Sequence, residues 1–462
     1  MDAEVVSVVV AGLGVSGLAA ARALARRGER VIVLEGNDGE RQRAAAAELA
    51  PLGVEVRFGE PELPKGASLV VTSPGWRPDH PLLAAAAAAG IEVIGEVELA
   101  WRLRGDGAAP WLALTGTNGK TTAVRMLTSM LTAAGLKALA VGNVGVPIVE
   151  AVREPYDVLA VELSSFQLHW SSGIAPLAAA VLNVAPDHID WHGSLEEYAA
   201  AKAKIFRNAP TVIYNADDER CARLAEPYRA AGRRVVGFTL GAPRPGQLGV
   251  VEDLLVDRAF VPDPRHTAEE LATLADVRPL APHNVANALA AAALARAHGV
   301  PTGAVRRGLA EFVPDPHRIA HVARIGDVDY VDDSKATNPH AAAASLSAFR
   351  SVVWIAGGQL KGADVDDLVR QAAGRLRGVV LLGADRARIR EALERHAPHI
   401  PVVEVPGQDT GVMDRVVTEA AKLAAPGDTV LLAPAAASYD MFAGYAARGD
   451  AFAEAVRRLA KR

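Results

Sequence analysis

Cysteine is almost missing from this chain: Cys221 stands alone among 462 residues. One thiol can build neither a disulfide framework nor a cysteine-based zinc cluster, which fits a reducing compartment. Long apolar runs are missing too. The longest alanine stretch, Ala84 to Ala89, is too short and too weakly apolar to span a bilayer. Basic runs and aromatic–basic interleaving are absent and the net charge of −5 is mild, so nothing points to nucleic acid. Asp2 and Glu4 stand where a signal peptide would carry basic residues. The expectation is a soluble, cytoplasmic protein without membrane insertion; it is also expected to be a monomer. Its length exceeds what one core serves and suggests about three domains. Abundant alanine blurs the helical pattern, because alanine serves either face of a helix.

What is present is organised around Gly116-Thr117-Asn118-Gly119-Lys120-Thr121-Thr122. A short apolar segment, Trp111 to Thr115, reads as a buried strand before it. Ala123 to Ala134 follows with apolar positions at helical spacing and is closed by Gly135. Strand, glycine turn, Lys-Thr and helix together form a cradle for nucleoside-triphosphate phosphates. Backbone N–H groups and the helix N-terminus supply positive potential, the lysine meets the outer phosphates, and the threonine hydroxyl can ligate a metal ion. The general pattern G-x-x-x-x-G-K-[ST] would put a glycine at position 114, where this chain has Leu114. The loop is therefore a shorter variant turning at Gly116; the bland alternative is a plain strand-to-helix turn.

Upstream, the β-branched run Val5 to Val10 leads into Gly12-Leu13-Gly14-Val15-Ser16-Gly17, a helix to Arg27, and a strand Arg30 to Leu34 ending at Glu35. This G-x-G-x-x-G fingerprint, with an acid about 20 residues on, suits a dinucleotide with Glu35 on a ribose. A related fold using the same turn for another diphosphate is the competing reading. Further strands at Glu55 to Phe58 and Leu69 to Thr72 follow, the latter ending in the turn Ser73-Pro74-Gly75, where open parallel sheets bind ligands.

Downstream, Gly142-Asn143 opens a tight turn, and the strand Val158 to Glu162 ends in an acid placed as a metal-binding carboxylate or as a solvated strand end. The strand Ala178 to Leu182 runs into Asn183 to His192, whose two histidines and two aspartates suit a metal site or a capped loop. The helix Leu195 to Phe206 carries Lys202 and Lys204, and nothing in the local sequence separates either from a surface lysine. The stretch Gly241 to Pro264 resists assignment. His283-Asn284-Val285-Ala286-Asn287 opens a long helix with both asparagines on one face. Past Phe312 to Pro316 the α/β alternation resumes, with polar turns at Asp332 to Asn338, Gly357 to Asp364 and Pro434 to Asp440. Lysines and hydroxyls on such edges suit an anionic ligand.

In that order, the Gly-Thr-Asn-Gly-Lys-Thr-Thr loop, Glu162-Leu163-Ser164-Ser165-Phe166-Gln167-Leu168, the Asn183 to Asp190 segment, His283-Asn284-x-x-Asn287 and Asp333-Ser334-Lys335-Ala336-Thr337-Asn338 resemble the Mur ligases of peptidoglycan synthesis. The resemblance covers essentially the whole chain. It implies three α/β domains: an N-terminal Rossmann-like domain over 1–104, a central P-loop ATPase-like parallel sheet over 105–313 and a C-terminal Rossmann-like domain over 314–462. It also implies an ATP-dependent carbon–nitrogen ligase. ATP would phosphorylate the L-alanyl carboxylate of UDP-MurNAc-L-Ala, and D-glutamate would attack the acyl phosphate. Lys361 in Gly-Gly-x-x-Lys-Gly-Ala-Asp and Ser438 in Pro-Ala-x-Ala-Ser-Tyr-Asp point to that acceptor and amino acid.

The same resemblance assigns roles. Gly116, Thr117, Asn118, Gly119, Lys120, Thr121, Thr122, Asn284, Asn287, Arg318 and Asp333 would hold ATP. Thr121 and Glu162 would serve one Mg²⁺, and His188 with a carbamylated Lys202 the other. Gly14, Val15, Ser16, Gly17, Glu35, Ser73, Pro74, Gly75 and Asn143 would bind the UDP-sugar. Lys335, Thr337, Lys361, Ser438 and Tyr445 would surround D-glutamate. Glu35-Gly36-Asn37, Gln359 and Tyr445 depart from the usual residues at their positions. Three rivals remain: a nicotinamide oxidoreductase built on the N-terminal fingerprint, a non-catalytic nucleotide-binding regulator, and a folylpolyglutamate-synthase-like ligase, which normally lacks a separate fingerprint domain.

Overall fold

Three runs of short apolar strands, most of them followed by a helix, give three separate sheets. The computed structural model describes residues 6–59, 62–407 and 411–461, so Val5, Asp2 and Glu4 lie outside the described residues. The first sheet contains β1 (Ser7–Ala11), β2 (Val31–Glu35), β3 (Glu55–Phe58), β4 (Ala67–Thr72) and β5 (Glu92–Gly95), all parallel in the order β3-β2-β1-β4-β5. β1 is buried throughout because helices cover both faces, which is why it reads Ser-Val-Val-Val-Ala without alternation. The strand order reverses on either side of β1, and the loop after it carries the glycine fingerprint.

The second sheet is built from β6 (Trp111–Thr115), β7 (Ala138–Gly142), β8 (Val158–Glu162), β9 (Ala178–Val181), β10 (Thr211–Asn215) and β11 (Arg234–Phe238). To these it adds β12 (Gln247–Val251), β13 (Leu254–Asp257) and β14 (Glu269–Thr273). Its order is β14-β13-β12-β11-β10-β9-β6-β8-β7. Only the β12-β13-β14 edge is antiparallel. That edge accounts for the stretch that the sequence pattern left unassigned. Asp257 is buried there and accepts from Ala259 and Phe260 N–H and from Arg296 Nε at 2.9 Å. The helix Lys120–Ala133 buries Ala123, Val124, Met126, Leu127, Met130 and Leu131 against this sheet, the i, i+3, i+4, i+7 stripe of an amphipathic helix.

The third sheet contains β15 (Ala320–Ile325), β16 (Val328–Asp332), β17 (Val352–Gly357), β18 (Leu376–Leu382), β19 (Val402–Glu404) and β20 (Thr429–Leu432), ordered β15-β16-β20-β17-β18-β19. Only β15 runs antiparallel to its neighbour. The three α/β sheets expected from the sequence are thus present. The chain separates into two compact units, one holding β1 to β14 with 188–273 and 287–309, the other holding 185–187, 274–286 and everything from Ala310. No helix among the described residues is long and apolar enough to cross a membrane.

In the first unit the first two sheets share one apolar core, and buried carboxylates secure it. Glu96 accepts from Val149 N–H at 2.7 Å, and Glu98 accepts from Ser172 and Gly173 N–H at 3.0 and 2.8 Å. Burial raises the Glu96 carboxyl to about 7.

Candidate active site

The loop from Gly116 to Thr122 leaves β6, an interior strand of the second sheet flanked by β9 and β8. Each neighbour supplies a brace. From the β9 side, Asn183 clasps the loop by accepting from Asn118 N–H at 2.9 Å and donating to Asn118 O at 3.0 Å, while its carbonyl accepts from Thr117 N–H. From the β8 side, Leu163 O accepts from Thr115 Oγ1 at 2.6 Å. Gly116 is required by space, since a Cβ there would come 2.9 Å from Leu182 Cβ. Gly119 has φ +82°, and a Cβ there would collide with Asn287 Oδ1, so the helix bearing Asn287 sits directly on the loop.

Lys120 Nζ donates to Gly116 O and Thr117 O, each at 2.9 Å. Lys202 is 1% exposed; its Nζ donates to the same Gly116 O at 2.8 Å and lies 4.5 Å from the centre of the Tyr198 ring. Tyr198 pairs its hydroxyl with Thr117 Oγ1 at 3.1 Å. The structure therefore brings Lys202 to the Gly116 to Thr122 loop. Lys204, two residues on, donates instead to His169 O at 2.7 Å.

Glu162 is the partner of Leu114 in the parallel register, so its side chain emerges beside the start of the loop. It is 1% exposed, with Oε1 accepting from Asn143 Nδ2 at 2.8 Å. Its Oε2 is buried without a hydrogen-bond partner among the described residues. A buried carboxylate oxygen left this way carries a desolvation cost that a hard cation would offset. His188 holds the left-handed conformation (φ 53°) at the start of the turn Ile189–His192, against Phe166 at 4.8 Å between ring centres. His192 in the same turn pairs Nε2 with Ser165 Oγ at 2.9 Å, and burial lowers it to about 4, so it is neutral. Among the described residues no group of three or more His, Cys, Asp or Glu converges as a metal site. A ligand set drawn from Thr121, Glu162, His188 and a modified Lys202 would not form such a group. A carbamate keeps one N–H on Nζ, so the bond to Gly116 O is compatible with it.

At the fingerprint, Gly17 packs so closely that a Cβ would collide with Gly12 O, and a Cβ on Gly12 would come 2.9 Å from Ser73 Oγ. The Gly12 and Ser73 turns therefore meet. Ser73 Oγ is buried without a partner among the described residues. Glu35 does not project freely: it accepts from Leu13 N–H at 2.6 Å and Asn37 N–H at 2.9 Å, bracing the loop. Val15 is exposed at the mouth of this loop, and the adjoining groove, about 540 Å³, is lined by Gly75, Trp76, Arg77, Asp79, His80 and Pro81. Arg77 Nη1 donates to Asp190 O at 2.9 Å, tying this turn to the His188 segment.

In the second unit, Asn284 is buried and donates Nδ2 to Pro279 O at 3.1 Å. Asp333 is buried and raised to about 6, with Ile319 N–H and the Arg318 charge acting in the opposite direction. Lys335 Nζ lies 3.9 Å from the centre of the Tyr445 ring, and Lys361 Nζ 6.0 Å from that of Tyr439. Ser438 is buried, and Thr337 closes a tight turn onto Lys335 O at 2.8 Å. Arg448, which no motif singled out, lies buried beneath these turns. It donates to Ser334 Oγ and O, to Ala436 O and to Gly357 O. Burial lowers it to about 10. Tyr198 and Arg448 escaped sequence reasoning, and Asn183 was read only as part of a motif, because their bracing roles depend on which strands are neighbours.

Residues 6–95, 114–295 and 317–436 match, in turn, the families described as the Mur ligase MurD-like N-terminal domain, the Mur ligase middle domain and the Mur ligase glutamate ligase domain. The chain is 64% identical over 458 residues to a UDP-N-acetylmuramoylalanine–D-glutamate ligase of Thermobifida fusca, with 98% of each chain covered. It is 62% identical over 461 residues to the protein of that name from Streptomyces avermitilis, again with 98% of each covered. In fold it is similar to the UDP-N-acetylmuramate–alanine ligase of Thermotoga maritima, with a TM-score of 0.57 at 19% identity over 98% of this chain and 99% of that one.

Proposed function

We propose, given that this chain belongs to the Mur ligase family, that it joins D-glutamate to UDP-N-acetylmuramoyl-L-alanine in the cytoplasm, with ATP cleaved to ADP and phosphate. The single observation that carries the phosphoryl-transfer half is Glu162: a fully buried carboxylate with one oxygen unpartnered among the described residues, in register with the strand that launches the Lys120 loop. An oxidoreductase would have no use for that pair. The names of the relatives support the substrates.

A carboxylate attacks a polyphosphate poorly, because both are anions. In the proposed reaction the L-alanyl carboxylate attacks the γ-phosphorus of ATP, ADP leaves, and an acyl phosphate results. The amine of D-glutamate then attacks the acyl carbon, loses a proton and expels phosphate. Lys120 offsets charge on the transferring group, and the loop N–H groups hold the flanking phosphates. When bound, Mg²⁺ would supply Lewis-acid charge neutralisation. Thr121 and Glu162 would hold one ion, and His188 and carbamylated Lys202 the other. Glu162 fits on its unpartnered oxygen, and Lys202 on its burial beside Gly116 O.

Within the first unit, Gly14, Val15, Ser16, Gly17, Glu35, Ser73, Pro74, Gly75 and Asn143 are assigned to the UDP-sugar, with Glu35 acting at least partly through the loop it braces. Asn287 and the loop are assigned to ATP. Within the second, Asn284, Arg318 and Asp333 are assigned to ATP, and Lys335, Thr337, Lys361, Ser438 and Tyr445 to D-glutamate. Incubation with ATP, Mg²⁺, UDP-MurNAc-L-Ala and D-glutamate should yield the amide by mass, one ADP and one phosphate per product. ADP formed without amide would contradict the proposal.

A further inference from the structure

The turn that follows β18, Gly383-Ala384-Asp385, belongs to none of the motifs, yet the Lys361 turn is built against it. A Cβ on Gly383 would lie 2.5 Å from Gly358 N and 2.8 Å from Asp440 Oδ2, so the backbones touch. Asp385 N–H donates to Gly358 O at 2.9 Å, and Asp385 Oδ2 accepts from Leu360 N–H at 2.7 Å. On the other side Gln359 and Ala437 exchange two backbone hydrogen bonds at 2.8 and 2.9 Å, and Asp440 Oδ2 accepts from Ala384 N–H at 2.8 Å. Three turns from three strands are thereby locked into one edge.

Two features of this edge run against local preference. Asp385 occupies the N-cap of the helix Arg386–His396, where an aspartate normally accepts from a first-turn N–H of its own helix and stabilises it. Here it makes no such bond, and its carboxylate goes to Leu360 instead. The next residue, Lys361, has φ +50°, a left-handed conformation that is uncommon for a residue with a Cβ. Such a residue persists where its surroundings over-determine it, and it marks sites where geometry is held for use.

We infer that Asp385 is a positioning residue for the amino-acid substrate: it forgoes its own helix cap to hold Leu360, and so fixes Lys361 in the backbone conformation that presents its ammonium to a substrate carboxylate. This rests on the assignment of Lys361 to the D-glutamate site. Without the Leu360 bond, Lys361 can relax towards the right-handed region, and its side chain leaves from a different direction.

The test compares D385N, D385S and K361A in the full chain, by steady-state kinetics with D-glutamate varied at saturating ATP and UDP-sugar, alongside melting temperatures. Asparagine keeps an oxygen that can accept from Leu360 N–H. Serine can cap its own helix, which protects the fold, but is too short to reach Leu360. The expected result is a KM for D-glutamate about tenfold higher in D385S, the scale of one lost hydrogen bond, with the KM for ATP unchanged and D385N near wild type. If K361A leaves the KM for D-glutamate unchanged, the assignment of Lys361 fails and takes the inference with it. If K361A raises that KM while D385S does not, or while D385N and D385S raise it equally, the inference alone is overturned.

Discussion

Lys120 and Lys202, 82 positions apart in sequence, donate to one and the same carbonyl oxygen, that of Gly116, at 2.9 and 2.8 Å. One lysine belongs to the phosphate loop and the other to a helix beyond β9, so a single backbone oxygen joins two of the proposed charge-handling groups. Tyr198 reinforces the link, with its ring beside Lys202 and its hydroxyl on Thr117.

Lys120→Ala should abolish phosphate release in the presence of both substrates. Loss of one preorganised cationic donor to a transferring phosphoryl group costs about 10²–10³ in rate, and turnover like wild type in a phosphate-release assay would reject the role of Lys120.

Lys202→Ala should be nearly inactive and should regain part of its activity with short carboxylic acids, which can place two oxygens where the carbamate would stand. Full activity without additives would reject the carbamate. Absence of rescue, with the fold intact by circular dichroism, would point to the ammonium itself.

Gly119→Ala should weaken ATP binding and lower stability, because φ +82° is unfavourable for alanine and its Cβ meets Asn287 Oδ1. Asn287→Ala removes the collision but not the backbone cost. A double-mutant cycle read by thermal melting should therefore show coupling of about 0.5–3 kcal/mol, the range for residues in contact. Simple additivity would mean that the two side chains do not compete for the same space.

Several of these elements could be read from the sequence and others could not. β3, β6 and β8 coincide with the expected strands because the short runs there end at a glycine or at a charged residue. β5 and β7 were missed: Glu-Val-Ile-Gly is short, and Ala-Leu-Ala-Val-Gly is dominated by residues equally at home in helix. The antiparallel β12-β13-β14 edge was hidden by glycines and prolines that break alternation. Lys120 was visible from its own motif. Lys202 and Lys204 were indistinguishable until packing placed one under Gly116 and the other on His169 O. Asn183 acquires its role only from the pairing of β6 with β9, which no local pattern encodes.

Glu96 supplies a pH test. Burial raises its folded value to about 7 from an unfolded 4.5. Its contribution to stability is therefore complete below pH 4.5, declines as pH rises through about 7, and is constant above that. Glu96→Gln keeps an acceptor for Val149 N–H and carries no charge. Relative to wild type it should gain stability at pH 8.5 over pH 4.5, by at most ~3 kcal/mol. Denaturant midpoints at the two pH values check this, and parallel pH profiles for the two proteins would contradict it.

The most direct measurement of the central claim is a phosphate-release screen with ATP, Mg²⁺ and UDP-MurNAc-L-Ala against a panel of D- and L-amino acids. The account predicts release that requires the UDP-sugar and is driven by D-glutamate above every other member of the panel. Release independent of the UDP-sugar, or driven by another amino acid with D-glutamate inert, would contradict it.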